Sequence, residues 1–137
     1  MKSIASGAFM DKTSQRPIKA PQELVDRGKL YPKLDMEYLP RKIALPDTEP
    51  QVYEDFPVLK CYIDMNEHVN NARYLDITDE FVENESAVKR IRVEYKNPLK
   101  RGKAIKAHVY TDEGRKFVEL CDENNKPYCI TEYDYRS

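Results

Sequence analysis

The sequence predicts an α+β fold in which an antiparallel sheet of about five strands wraps around one central helix, with an extended N-terminal arm. Apolar residues recur at helical spacing over residues 71–82, and after Asn84 the pattern changes to an alternation of apolar and polar residues. A further segment rich in β-branched and aromatic residues, Val52 to Ile63, precedes the helix. Because one helix has to be buried by all the strands, the sheet is expected to curl around it.

The predicted helix begins after Asn70 or Asn71, since an asparagine side chain can accept a hydrogen bond from a free N–H group of the first turn. Its apolar positions form a wide stripe: Tyr74, Leu75, Ile77, Phe81 and Val82. A stripe of this width is typical of a helix that packs against a sheet.

Four strands are predicted after the helix. The four segments are Val88 to Lys96, Lys103 to Tyr110, Lys116 to Asp122 and Tyr128 to Tyr135. Turn-forming residues at 112–114 and 123–127 join the last three segments. We therefore expect these four strands to form a meander, with His108 at a solvated position of the sheet.

The first 50 residues differ in composition from the rest. They hold six of the nine prolines: Pro17, Pro21, Pro32, Pro40, Pro46 and Pro50. Because proline fixes φ and removes a donor, residues 1–50 are predicted to be an arm or linker, and residues 51–137 the core domain. A short helix is expected at Gln22 to Arg27, after Pro21. A short strand at Ser6 to Met10 has no evident partner within these 50 residues.

Composition excludes several classes of protein. The chain has 137 residues, 40% hydrophobic and 34% charged, which suits one core, and its formal net charge of -1 gives no field that would favour nucleic acid or an anionic membrane. The mean hydropathy is -0.79, and no apolar run approaches the roughly 20 residues that span a bilayer. Met1 to Met10 lacks the apolar segment of a signal peptide, so we expect a cytoplasmic protein.

The three cysteines argue against a disulfide framework. Cys61, Cys121 and Cys129 are odd in number and have no C-x-x-C spacing, which also argues against a zinc site. We expect reduced thiols, with no metal and no cofactor.

Polar residues alternate directly before the helix. Asp64, Asn66 and His68 occupy every second position, and Asn70 and Asn71 follow them. Any one of these residues alone would usually serve a turn or a cap. Together, in this order before a helix, they favour a functional site.

This strand, loop and helix resemble the hotdog fold of thioesterases, and the loop is similar to that of acyl-acyl-carrier-protein (acyl-ACP) thioesterases. The resemblance is carried by Asp64-Met65-Asn66-Glu67-His68-Val69-Asn70-Asn71 and Tyr74. Leu34 to Tyr38 with Pro40 to Ile43 resembles the family's linker, and Phe9 to Asp11 with Arg16 to Ile18 resembles the last strand of its first hotdog domain. The family carries two hotdog domains in tandem. The resemblance therefore implies either a part of such a protein or a single hotdog domain that pairs with itself as a homodimer.

The resemblance implies that Asp64, Asn66 and His68 are the catalytic set, as carboxylate, orienting amide and histidine. Thioester hydrolysis needs an activated water or a nucleophile, together with donors aimed at the developing oxyanion. The free N–H groups at a helix N-terminus suit a thioester carbonyl, so Asn70, Asn71 and Ala72 are candidate binding residues, with Tyr74 beside them. Glu80, which matches a glutamate on the family's helix, is a secondary catalytic candidate.

Two positions depart from the family pattern. Family members commonly place a glutamate, sometimes followed by cysteine, just after a strand that resembles Val93 to Lys96, and this chain has Pro98 and Leu99 there. If that glutamate is the general base, this chain lacks it. The tryptophan usual on the family's helix is Ile77 here.

The predicted activity is the hydrolysis of fatty acyl-ACP to free fatty acid. An acyl-CoA thioesterase of the single-hotdog type is the alternative among enzymes, and a non-catalytic acyl-binding remnant is the alternative among other classes. The expected partner is acyl carrier protein or acyl-CoA. A set of basic residues could either be solvated or meet an acidic carrier protein: Lys96, Lys100, Arg101 and Lys103.

Overall fold

The computed structural model describes residues 2–14, 16–29 and 31–136. Its contacts divide the chain into two compact units, Met1–Leu39 and Pro40–Ser137. Residues 40–50, which the sequence assigned to the arm, group with the second unit. Ile43 explains why, because its side chain is buried against Phe117 and Ile130.

The first unit contains a two-stranded ribbon and a short helix. Strand β1 (Phe9–Met10) pairs antiparallel with β2 (Pro17–Ile18), and α1 spans Gln22–Arg27, as predicted. The expectation that the strand before Asp11 has no partner was wrong. The Asp11 carboxylate accepts the N–H groups of Thr13 and Ser14, which closes a turn that brings the two strands together.

The second unit is built on a five-stranded antiparallel sheet, which confirms the predicted fold class. Its strands are β3 (Gln51–Pro57), β4 (Arg90–Tyr95), β5 (Ala104–Asp112), β6 (Arg115–Cys121) and β7 (Pro127–Asp134). The order across the sheet is β3-β5-β6-β7-β4. Strand β3 ends at Pro57, before the predicted limit, and one turn of 3-10 helix follows at Lys60–Tyr62.

The predicted four-stranded meander was wrong at its first strand. β4 pairs with β7, so only β5, β6 and β7 follow one another through hairpins. Glu113 and Gly114 both have positive φ in the tight turn between β5 and β6, as a two-residue hairpin turn requires. The segment between β4 and β5, residues 96–103, instead crosses the end of the sheet, and its Leu99 is fully buried.

Helix α2 spans Asn71–Asp79 and is capped by Asn70. It ends before Val82, the predicted limit, because Phe81 donates its N–H to the Thr78 carbonyl and so tightens the last turn. The buried side chains of α2 are Tyr74, Ile77 and Thr78. Tyr74 and Ile77 pack in the main core with Leu99 and the inward residues of β5, β6 and β7.

The sheet is covered on both faces. Ala107, Val109, Val118 and Leu120 belong to the core around α2. The opposite face carries a smaller cluster in which Ile43 packs against Phe117 and Ile130. Since both faces are covered, every residue of β7 from Tyr128 to Asp134 is buried. Within the described ranges, no helix is long and apolar enough to span a membrane.

Candidate functional site

The polar loop before α2 is closed by its own backbone. The Asp64 N–H donates to the His68 carbonyl at 2.8 Å, and the Glu67 N–H donates to the Asp64 carbonyl at 3.1 Å. Glu67 has a φ of 59°, in the left-handed region that a tight turn of this kind uses. The loop therefore holds Asp64 and His68 side by side at its two ends.

The Asp64 carboxylate is stabilised in its ionised form. Its Oδ1 accepts the N–H groups of Asn66 at 2.8 Å and His68 at 3.3 Å. The Asn66 N–H is the main cause of a lowered pKa of Asp64, and partial burial opposes it. Asp64 is therefore a carboxylate at neutral pH, and the Asn66 side chain also favours this form.

The His68 imidazole is partly exposed and is held through its backbone. His68 forms an isolated antiparallel bridge with Lys100, and its neighbour Val69 donates an N–H to the Leu99 carbonyl at 2.8 Å. Among the described residues, the imidazole nitrogens have no hydrogen-bond partner. They are available to a ligand as donor or acceptor.

The first turn of α2 presents one free amide. The Asn70 Oδ1 accepts the Ala72 N–H at 3.0 Å, and the Asn70 carbonyl accepts the Arg73 N–H at 2.8 Å. The Asn71 N–H has no acceptor in the described part of the chain. Of the three amides expected at the helix mouth, Ala72 is therefore engaged by the cap, and Asn71 is the one available to a carbonyl oxygen.

A pocket of about 280 Å³ brings several of these groups together. Its lining residues are Asp64, His68, Val69, Asn71, Tyr74, Tyr95, Lys96, Asn97 and Pro98. Asp64, His68, Asn71 and Tyr74 were candidate site residues on sequence grounds. Asn66, Asn70 and Ala72 do not line the pocket, although Asn66 and Asn70 hold the loop and the helix start through hydrogen bonds.

The wall of the pocket that faces the loop comes from the crossing between β4 and β5. The Tyr74 hydroxyl accepts the Leu99 N–H at 2.9 Å, and the Tyr95 hydroxyl donates to the Asn71 carbonyl at 2.8 Å. Asn97 is anchored by a 2.7 Å hydrogen bond from its Nδ2 to the Pro127 carbonyl. These contacts place Pro98, where acyl-ACP thioesterases commonly carry a glutamate, in the same pocket as Asp64 and His68.

Sequence reasoning did not single out Tyr95 or Asn97 for this site. The signal that could have found them is the length of the segment between β4 and β5, because residues 96–103 are too many for a tight hairpin. A long crossing at that point has to pass over an end of the sheet, where a polar loop before a helix can meet it.

Glu80 lies apart from this set. It lines a second, larger pocket of about 470 Å³, which shares no lining residue with the first. Most of the lining of this second pocket is apolar: Tyr53, Phe56, Pro57, Leu59, Tyr62, Ile77, Phe81 and Ile105. The ring centroids of Tyr53 and Phe81 are 4.9 Å apart, so aromatic contacts shape its wall. Helix α2 borders both pockets.

The fold is shared with solved thioesterase structures, among them two that align over most of this chain. The 12:0-ACP thioesterase from Umbellularia californica aligns with a TM-score of 0.70 at 18% identity, over 93% of this chain and 52% of that one. An acyl-ACP thioesterase from Bacteroides thetaiotaomicron aligns with a TM-score of 0.73 at 16% identity, over 91% of this chain and 52% of that one. The chain thus spans about half the length of these relatives.

Sequence comparison gives the family. No curated protein sequence matches the chain. The model of the acyl-ACP thioesterase C-terminal domain matches residues 46–135, which is about two thirds of the chain and includes both pockets. The chain belongs to the acyl-ACP thioesterase C-terminal domain family.

Proposed function

We propose that this chain hydrolyses the thioester of fatty acyl-ACP to a free fatty acid and the carrier thiol. The observation that carries the proposal is the pocket that Asp64, His68 and Asn71 line together. Thioester hydrolysis needs one group of each kind: a carboxylate, a group that transfers protons near neutral pH, and a donor for the oxyanion. Family membership supports the same reaction.

In the proposed mechanism, Asp64 activates a water molecule. Its carboxylate accepts a proton from water, and the water oxygen forms a bond to the carbonyl carbon of the thioester. The negative charge that develops on the carbonyl oxygen is stabilised by the Asn71 N–H and by the positive end of the α2 dipole. Asn66 acts on Asp64, because its N–H group and its side chain favour the carboxylate form.

His68 serves the leaving group. When the carbon–sulfur bond breaks, the sulfur leaves with the electron pair and accepts a proton from the imidazole. The imidazole then recovers the proton that Asp64 took from water. One water is consumed, and one acid and one thiol are formed.

We place the acyl chain in the larger pocket. This pocket is mostly apolar and lies along the same helix, so a chain whose carbonyl reaches the N-terminus of α2 can extend toward Ile77 and Phe81. Glu80, the secondary catalytic candidate, borders this pocket and not the one that holds Asp64. In this arrangement Glu80 takes no part in the chemical step.

The basic segment between β4 and β5 supports a carrier protein as the partner. Lys96 lines the smaller pocket, and Lys100 is bridged to His68 through the backbone. Lys100, Arg101 and Lys103 are exposed. A basic rim at the pocket would steer an acidic carrier toward the site, even though rim charges add little affinity.

Two substitutions test the assignment of the pocket. We expect His68→Ala and Asp64→Asn each to lower kcat/KM for acyl-ACP by about 10²- to 10⁴-fold, because each removes a group that transfers protons. The matched control is Asp47→Asn, which removes one carboxylate from an exposed position outside the pocket. Circular dichroism should show the same fold in all three variants. Unchanged rates in folded His68→Ala and Asp64→Asn would refute this site.

Pro98 favours a second candidate function. If the missing glutamate is essential, the chain binds the acyl group without turnover. Measuring the release of free thiol from acyl-ACP and from acyl-CoA distinguishes the three candidate functions: acyl-ACP thioesterase, acyl-CoA thioesterase and acyl-binding module. Release from acyl-ACP alone supports the proposal, and faster release from acyl-CoA supports the alternative enzyme. A tight complex with acyl-ACP and no release supports the binding module.

We also propose that the chain works as a homodimer in the cytoplasm. Support comes from the two edge strands of the sheet, β3 and β4, which each pair on one side only among the described strands. All three cysteines are unpaired, as expected in a reducing compartment. Light scattering at micromolar concentration should give twice the chain mass. A monomeric mass would contradict the dimer.

A further inference from the structure

A second polar cluster lies on the sheet face that turns away from α2. His108 on β5 is directly opposite Glu119 on β6, and Cys121 follows Glu119 by two positions. Side chains on a strand alternate between faces, and the intervening Leu120 packs in the core around α2. His108, Glu119 and Cys121 therefore share the other face. The sequence suggested a solvated position for His108. That expectation was wrong, because the His108 side chain is only 13% exposed.

The ligand atoms of this cluster lie near the spacing that a small cation requires. His108 Nδ1 lies 3.3 Å from Glu119 Oε2, and Cys121 Sγ lies 3.8 Å from His108 Nε2 and 3.9 Å from Nδ1. One ligand atom from each residue can be chosen so that all lie within 4.8 Å of one another. Tetrahedral zinc with sulfur at about 2.3 Å and nitrogen or oxygen at about 2.0 Å needs separations of about 3.3 to 3.5 Å. Small side-chain rotations would close the difference.

The donor set is mixed in a way that suits a metal ion better than a nucleophilic triad. The Cys121 Sγ is nearly equidistant from both imidazole nitrogens, so it is not paired with one of them in the way that a nucleophile is paired with its base.

We propose that His108, Glu119 and Cys121 bind one divalent ion of the zinc class and so cross-link β5 to β6. Thiolate, imidazole and carboxylate are the three side-chain ligands that zinc takes in proteins. We leave the fourth position to water, which can approach from the side of Glu119, whose side chain is 14% exposed. The site is structural, on the face opposite α2, and does not depend on the proposed thioesterase activity.

Neighbouring groups support the ligands. The Tyr110 hydroxyl lies 3.5 Å from Glu119 Oε2 and can orient the carboxylate, as outer groups of metal sites commonly do. The Lys106 amine is paired with Glu54 at 3.2 Å, which draws its positive charge toward the β3 side.

The expectation of no zinc site rested on the spacing of cysteines in the sequence. Strand pairing, which that spacing does not show, brings the three ligands together.

Cobalt is a suitable probe, because Co²⁺ occupies zinc sites and absorbs light. Titration of the 137-residue chain with Co²⁺ should saturate at one ion per chain. It should give a sulfur-to-cobalt charge-transfer band in the near ultraviolet and the strong visible bands of tetrahedral cobalt. Zn²⁺ should displace the ion and remove both signals. Absence of the charge-transfer band in the natural sequence would overturn the proposal.

Five variants assign the ligands. Cys121→Ser and His108→Asn should abolish the charge-transfer band, and Glu119→Gln should weaken Co²⁺ binding at least tenfold. Cys61→Ser and His68→Asn are the matched controls, because they remove the exposed thiol and the only other histidine. Both controls should bind as before. A band that persists in His108→Asn, or that is lost in either control, would place the ion elsewhere. If Cys121→Ser fails to fold, His108→Asn and Glu119→Gln still decide the matter.

Discussion

Pro98 is the residue that bears most directly on the proposed catalysis. It lies with Asp64 and His68 in the smaller pocket, where acyl-ACP thioesterases commonly carry a glutamate. We expect Pro98→Glu to raise kcat for acyl-ACP by about tenfold or more, since a positioned acid or base typically contributes about 10²-fold or more. Steady-state kinetics with acyl-ACP measures the change.

The controls for this substitution are Pro98→Gln and Pro98→Ala. Glutamine has the shape of glutamate without its charge, and alanine reports the loss of proline alone. Both should leave kcat near its original value. An equal rise in Pro98→Gln would assign the gain to backbone freedom and not to the carboxylate.

Only the part of the pocket that is local in sequence could be predicted. Asp64, His68 and Asn71 fall within one loop and the start of one helix, so alternation and cap chemistry grouped them, and the family resemblance added Tyr74. Tyr95 and Asn97 reach the pocket through long-range contacts, such as the hydrogen bond from Tyr95 to the Asn71 carbonyl. No local pattern encodes such a contact.

Helix α2 is fastened to strand β7 by a buried hydroxyl. The Tyr133 hydroxyl is bonded to Thr78 Oγ1 at 2.6 Å and donates to the Asp79 carboxylate, and both Tyr133 and Thr78 are at most 1% exposed. We expect Tyr133→Phe to lower the free energy of unfolding by about 1 to 2 kcal/mol, because the buried Thr78 hydroxyl and the Asp79 carboxylate each lose a partner. Urea unfolding measures the difference.

Tyr128→Phe is the matched control for Tyr133→Phe. Tyr128 lies on the same strand and is 8% exposed, but its hydroxyl has no hydrogen bond to any described residue. Its loss should change the free energy of unfolding by less than about 0.5 kcal/mol. Equal losses in the two variants would show that the contact with Thr78 and Asp79 adds nothing.

The elements themselves were predicted better than their connections. Each predicted helix and strand exists, because apolar periodicity is a local property of the chain. The pairing of β4 with β7, and not with β5, was missed because neighbouring strands in sequence were taken as neighbours in the sheet. The early end of α2 at Asp79 was missed for a related reason, since Phe81 and Val82 continue the apolar stripe beyond the helix.

The molecule as a whole buries its sheet on both sides, which alternation alone did not indicate. Ile130 and Glu132 lie two positions apart on β7, Ile130 packs in the cluster on the face opposite α2, and both residues are at most 3% exposed. The segment around Ile43 covers Ile130, and Glu132 is satisfied there by ion pairs with Arg92 and Arg115. Burial of a charged face requires such partners, and they come from distant parts of the chain.

Asp134 links the stability of the whole second unit to pH. The Arg136 guanidinium donates two hydrogen bonds to the carboxylate, at 2.8 and 2.9 Å, and this contact is the main cause that lowers the pKa of Asp134 to about 2. A lowered pKa in the folded state stabilises the protein above the ordinary value of 3.8. That stability is lost as the pH falls from about 4 to about 2.

We therefore expect Asp134→Asn to lower the free energy of unfolding at neutral pH by about 1 kcal/mol, since solvent around the half-exposed Arg136 weakens the pair. The gap between the variant and the natural sequence should narrow as the pH falls below 4, because the natural carboxylate then becomes neutral too. Urea unfolding at a series of pH values measures both effects. The exposed Asp47→Asn removes the same charge without this contact, so its curve should stay close to that of the natural sequence at every pH. A constant gap for Asp134→Asn between pH 5 and pH 2 would instead mean that the side chain stabilises the fold through its shape and not through its charge.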